Sequence, residues 1–386
     1  MNNMKKIAFL LMISMALGVF TACDDEKKGG EAVETVSGFY TINGGNKSSK
    51  IPATITAYNY SDGSSTGALE DAFYAANGIA LGDGAQQALV YNNKMYIVMY
   101  TSNLIWVVEP TTLKIITSIQ PEGDAVSPRY MTAKDGKLYC SMYTGYITKI
   151  DAETDEIEES IKVGPNPDGI ALAGNKLIVA NTDGMNSSNN YANNSISVVD
   201  LSSFTQTEIK TPQFAGNHPT DAASNGTDAF VVMQGTYLKP SDPNYVPGII
   251  VKVTGDDAND IKKVCDGTLI DVCGNELYVI DAPYYGDAAD RTYKVYDVDT
   301  FKEKRNIAKQ VAGEDSEILS PNGVFADPVS GDIVMLSYNL DSTTGKSLTK
   351  EPCYANIYDK AGNFKQRIEC GVGARSVAFI HETVTK

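Results

Sequence analysis

The feature that most constrains this chain is a motif that recurs along nearly all of it. Three copies are plain: Ala88–Val98 reads ALVYNNKMYIV, Met131–Ser141 reads MTAKDGKLYCS, and Ile170–Ala180 reads IALAGNKLIVA. Each is two short apolar strands around a polar Asn, Asp or Gly turn, which is the signature of a β-hairpin. A second strand pair follows each copy, over Ile105–Ile119, Ile147–Ile161 and Ile196–Ile209. One repeat is therefore four antiparallel strands. Weaker copies occupy 222–264, 270–307 and 323–368, which makes six full repeats. Equivalent positions at Tyr96, Tyr139, Ile178, Phe230, Tyr278 and Val334 are spaced by 43, 39, 52, 48 and 56 residues. Repeats of that size arranged radially build a propeller.

The two ends of the repeat region are complementary fragments. Ala374–Ile380 supplies only a first strand, whereas Gly38–Ile42 and Ile55–Tyr60 supply strands without one. Joined in space they complete a seventh blade, and this closure protects sheet edges that would otherwise fray. The expected fold is thus all-β, a seven-bladed β-propeller of four-stranded antiparallel blades over residues 37–382, its last blade closed by N- and C-terminal strands.

Ahead of this body, residues 1–22 hold Lys5 and Lys6, an apolar run from Ile7 to Phe20 and the small pair Thr21-Ala22. This is the pattern of a secretory signal peptide. Phe20-Thr21-Ala22-Cys23 resembles a bacterial lipobox, which would make Cys23 the lipidated first residue of the mature chain. Residues 23–36, beginning Cys23-Asp24-Asp25-Glu26, then read as a flexible tether. Removing the signal leaves 30 basic against 48 acidic side chains, a net charge of −18. With no basic block, nucleic acid is excluded as a partner class. Beyond the signal no apolar run approaches the length of a membrane span.

The run Gly164-Pro-Asn-Pro-Asp-Gly-Ile-Ala-Leu-Ala-Gly-Asn-Lys-Leu-Ile-Val-Ala-Asn181, followed by Asn194-Ser-Ile-Ser-Val-Val-Asp200, closely resembles the YVTN-type propeller repeat. With its N-terminus, Gly82–Gln87 and Gly371-Val-Gly373, the chain is similar to surface-lipoprotein propellers of Gram-negative gut bacteria. Some of those capture cobalamin and hand it to a TonB-dependent outer-membrane transporter. The resemblance implies an outer-membrane lipoprotein exposed at the cell surface that binds cobalamin or another corrinoid without transforming it. It offers no compact ligand motif to transfer residue by residue.

In a propeller the loops between second and third strands open on the same face as the blade-to-blade connections. The first set here includes 100–103, 143–145, 181–194, 234–247, 282–290 and 338–354; the last four are far longer than a hairpin needs, and long loops on a rigid scaffold commonly carry function. Tyr100, Tyr143, Tyr191, Tyr237, Tyr245, Tyr284, Tyr285, Tyr338 and Tyr354 sit on these loops with Asn103, Asn181 and Gln234. Tyrosine offers rigid contact area with one polar handle. Blade entries add Gln86, Gln87, Arg129, Tyr130, Asp168, Asp221, Asn322 and Arg375. Two Arg, amides and carboxylates within an aromatic rim suit a large ligand bearing amide or carboxylate groups. The same residues also suit inter-blade hydrogen bonding around a wet channel. A carbohydrate-binding module, a protein-docking scaffold and a lactonase- or lyase-like enzyme remain compatible with the pattern.

Catalytic signals are weak. The two histidines, His218 and His381, belong to no triad or zinc motif, and the acidic run 255–260 lacks EF-hand spacing. No cofactor is expected. If the turn Asp359–Phe364 closes a hairpin, Cys353 and Cys370 face each other across adjacent strands, a placement open to either a disulfide or two reduced thiols.

Overall fold

The computed structural model describes residues 32–66, 70–184, 186, 193–210, 218–285 and 288–385. The signal peptide, Cys23, most of the tether and Tyr191 lie outside the described residues.

Local chemistry builds the hairpins. Asn92 and Asn93 (φ 50° and 59°), like Asp135 and Gly136 (φ 50° and 78°), both take left-handed backbone between the first and second strands of their blades. Two consecutive left-handed residues give a turn whose twist matches that of the flanking strands. At the far end of the third strand, Asp151, Asp200 and Asp297 each accept two successive backbone N–H groups of the next turn. That bonding directs the chain into the fourth strand.

The chain is a seven-bladed β-propeller. Six blades are four-stranded antiparallel sheets with strands in sequence order, from blade one (residues 85–119) to blade six (residues 320–372). Blade seven has three full strands, Thr54–Asn59, Ala32–Asn43 and Ala374–Thr385, in that spatial order. Among the described residues a stub fills its outermost place: Ser65 bridges Tyr58, and Thr66 N donates to Ala57 O at 3.0 Å. The ring is closed as the terminal fragments implied, but over a longer seam. Ala32–Val36 pairs with His381–Thr385, so the first strand begins before Ser37 and the last runs past residue 382.

The repeat markers Tyr96, Tyr139, Ile178, Phe230, Tyr278 and Val334 all lie on second strands, two or three residues in, at most 4% exposed. Apolar clusters fill the gaps between neighbouring blades, such as Tyr96, Val98, Met131 and Cys140 between blades one and two. A short helix, Ala72–Asn77, leads into blade one, with Asp71 capping its start and left-handed Gly78 its end. Helical periodicity is too brief over six residues to reveal it, although the Asp71 and Gly78 caps are its sequence signal.

Candidate ligand site at the channel mouth

The first strand of every blade lines the central axis, and six of the seven carry the same irregularity at their start. The register slips between Ala85 and Gln87, Pro128 and Met131, Pro167 and Ile170, Pro219 and Asp221, Pro321 and Gly323, and between Ala374 and Ser376. Blade five, Leu269–Cys273, pairs without a slip. A bulge re-aims the side chain of the extra residue. The bulged residues are Gln86, Arg129 with Tyr130, Asp168 with Gly169, Thr220, Asn322 and Arg375. Of the blade entries singled out in the sequence, Gln86 and Arg129 do not line the axial cavity, whereas the bulged Tyr130, Asp168, Asn322 and Arg375 converge there with Gln87 and Asp221.

They open onto a cavity of about 680 Å³ on the axis, lined by Gln87, Tyr130, Asp168, Asp221, Asp271, Gln234, Tyr237, Asn322 and Arg375 among others. Blades three and four approach closely here, since a Cβ on Gly169 would lie 2.5 Å from Asp221 Cα. Burial pushes the Asp221 carboxyl up to about 7, with Asp168 and Asp271 adding to the rise. Asp221 Oδ1 accepts from Ala222 N at 2.8 Å. Burial likewise raises Asp271 to about 6. A carboxyl raised this far lets Asp221 act as donor as well as acceptor, whereas Asp271 accepts from Val272 N at 2.8 Å and Ala326 N at 2.7 Å.

Arg129 is fully engaged. Its Nε and Nη2 donate to Asp168 Oδ1 and Oδ2, both at 2.8 Å, and its guanidinium lies 4.9 Å from the Tyr100 ring and 5.3 Å from the Tyr143 ring. Those rings meet edge to face at 5.4 Å. Burial opposes the Arg129 charge, but Asp168 more than offsets this and keeps it protonated. Of this neutralised cluster, Asp168 is the member that lines the cavity.

A second aromatic group is open to solvent. His218, Tyr237, Tyr284 and Tyr285 form a chain of edge-to-face contacts at 5.8, 5.8 and 4.8 Å. Tyr237 is 44%, Tyr284 72% and Tyr285 52% exposed, and Tyr237 also lines the cavity. Burial draws the His218 imidazole down to about 4, so it is neutral at physiological pH. Exposed aromatics joined to a polar cavity form a surface suited to a large, partly flat ligand.

Several expected site residues hold the scaffold instead. Asn181 is fully buried, its Nδ2 donating to Ser195 Oγ at 3.0 Å and Ser197 Oγ at 2.9 Å. Asn43 does the same for Thr54 and Thr56 in blade seven, so this is a repeated clamp between second and third strands. Asn103 shapes its own turn (φ 51°), accepting from Ser127 N at 2.7 Å and donating to Pro121 O at 2.9 Å. Gln86 is buried and donates to Gly84 O and Ala85 O. Tyr338 packs partly into the core between blades six and seven, and Tyr354 is buried on the other face of blade six, donating to Glu317 O and accepting from Leu319 N on the connector from blade five. Cys353 and Cys370 are register partners, as the hairpin implied, yet both are buried free thiols rather than a disulfide. Burial pushes Cys370 up to about 12, holding it as an unreactive thiol. Asp271 and Thr220 join the cavity without having been singled out. For Asp271 the available signal was a carboxylate alternating with Ile270 and Val272 on an otherwise apolar innermost strand.

Comparison with known proteins supports the fold and leaves the ligand open. A family model for a domain of unknown function, DUF5074, matches residues 37–185, from blade seven into blade three. No curated protein matches the chain. Among solved structures, apo AztD from Citrobacter koseri is similar over 90% of this chain and 99% of its own, at 11% identity and a TM-score of 0.51. The WD40 repeats of RRP9 match over 76% of this chain and 82% of their own, at 9% identity and a TM-score of 0.50. At such identities the likeness is one of architecture alone.

Proposed function

We propose that the protein is a cell-surface lipoprotein, anchored through Cys23, that captures cobalamin or another corrinoid at the channel mouth. It then passes the ligand unaltered to a TonB-dependent outer-membrane transporter. The observation that carries the capture reading is the junction of the exposed Tyr237–Tyr284–Tyr285 group with a polar cavity of about 680 Å³. A corrinoid is a broad ring fringed with amides. Aromatic edges and faces would pack against the ring, and Asp221, Asp271, Gln87 and Asn322 would meet the amides. The anchor and transporter steps rest on the lipobox and on the resemblance of the repeats.

Co-elution is the direct test. Residues 24–386 mixed with cyanocobalamin and passed over a sizing column should emerge as a pink protein peak at equimolar stoichiometry. A colourless protein peak at high micromolar ligand would remove the corrinoid reading and direct the search to glycans and protein partners.

A further inference from the structure

The chain has five arginines, and four of them are spoken for. Arg129 pairs with Asp168, Arg305 with Glu276 and Arg367 with Asp315, while Arg291 donates to the carbonyls of Ile318 and Leu319. Arg375 differs. Among the described residues it has no carboxylate partner, and its one side-chain hydrogen bond is a long one from Nη1 to Gln86 Oε1 at 3.4 Å. It is exposed and lines the axial cavity. In a chain of net charge −16, a cation left without a carboxylate at a cavity mouth stands out.

Its placement is built into the fold. Arg375 is the bulged residue of the closing strand, between Ala374 and Ser376. The side chain passes over Gly44, where an added Cβ would fall 2.7 Å from Arg375 Nε and 2.9 Å from Ala85 O. Only glycine leaves that space open. Gln87 lies on the neighbouring blade with Oε1 accepting from Met131 N at 2.6 Å, and among the described residues its Nε2 has no protein acceptor. A planar guanidinium and an available amide donor lining one cavity are the donor types that read an oxyanion.

We propose that the channel mouth contains an oxyanion subsite at Arg375, assisted by Gln87, which takes a phosphate or carboxylate group of the bound ligand. Asp221, in the same cavity, takes hydrogen-bonding groups of the same ligand, so the site orients its occupant between two unlike poles. This rests on the reading of the mouth as a ligand site, and not on the ligand being a corrinoid.

The test uses residues 24–386 and three small aromatic probes: phenyl phosphate, benzoate and benzyl alcohol, titrated by saturation-transfer NMR. At least one anionic probe should bind more tightly than the neutral one, and the preferred anion tells phosphate from carboxylate. Arg375→Gln should weaken that probe at least tenfold while leaving benzyl alcohol unchanged. Gly44→Ala should do the same without removing the charge, and thermal melting checks that both variants fold. Equal binding of anionic and neutral probes, no binding of either anion, or an anion that binds Arg375→Gln as well as wild type would overturn the subsite. Cyanocobalamin, run in parallel, separates the two claims. Arg375-dependent anion binding without cobalamin binding retires the corrinoid and keeps the subsite. Equal cobalamin binding by wild type and Arg375→Gln keeps capture and retires the subsite.

Discussion

Replacing His381 tests how the ring is held shut. His381 lies on the closing C-terminal strand, and its Nε2 meets Asp327 Oδ1 of blade six at 2.7 Å. Its Nδ1 lies 3.6 Å from Glu34 on the N-terminal strand. Asp327 is fully buried, and its other oxygen accepts from Ser330 N at 2.8 Å and from Ser330 Oγ. The hydrogen bond to Asp327 raises the His381 imidazole. Burial opposes the Asp327 charge, but His381 and Ser330 prevail and hold its carboxyl below the ordinary 3.8. A hydrogen bond to a charged group contributes roughly 1.5–3 kcal/mol. For a chain this long, His381→Ala should therefore lower Tm by about 2–4 °C near pH 5.5. The contribution of a raised histidine is complete below its unfolded value of 6.5 and fades as pH rises through the folded value. That of a lowered aspartate is present above 3.8 and fades as pH falls through its folded value. The gap in Tm between wild type and variant should thus be largest between about pH 4 and 6.5 and shrink toward pH 9. Melting curves at half-unit pH steps measure it. A gap that is flat with pH, or that widens above pH 7, would refute the reasoning.

Other parts of the account predict separate outcomes. Asn181→Ala removes the buried clamp to Ser195 and Ser197 and should cost about 2–3 kcal/mol in chemical denaturation while leaving ligand affinity unchanged; reduced affinity at full occupancy of the folded state would return Asn181 to the site. Tyr237→Ala and Tyr284→Ala should each weaken ligand at least tenfold; Tyr284→Ala should shift Tm by less than about 1 °C because that side chain is 72% exposed, and Tyr237→Ala should shift it more because Tyr237 is over half buried against His218. Thiol titration of residues 24–386 should find slow reaction in the native state, five thiols after denaturation, and no effect of reductant on Tm; fewer than five, or a drop in Tm with reductant, would indicate that Cys353 and Cys370 do bridge.

The architecture was legible because propeller blades repeat their hydrophobic pattern. Tyr96 and its counterparts stand at one structural position, so their spacing revealed the blades, and the half-repeats at the two ends revealed the closure. The site was legible only in part. Blade entries such as Asp168 and Arg375 could be assigned to the axial face, but the bulge that turns them is a backbone event whose sequence trace, a preceding proline, is present at Pro128, Pro167, Pro219 and Pro321 and absent before Gln86 and Arg375. Loop position misled for Tyr354 and Asn181, since the ends of second strands and starts of third strands are buried between blades although the loop joining them is exposed. Charge pairing was also hidden: nothing in the order of residues distinguishes Arg129, locked to Asp168, from Arg375, which has no carboxylate partner among the described residues.

The central claim is ligand capture at the aromatic mouth, and calorimetric titration of residues 24–386 with cyanocobalamin tests it most directly. The account predicts saturable one-to-one binding with Kd in the nanomolar range or tighter, on the order of −12 kcal/mol, weakened by Tyr237→Ala. Absence of heat at high micromolar ligand, or binding that Tyr237→Ala and Tyr284→Ala leave untouched, would contradict it.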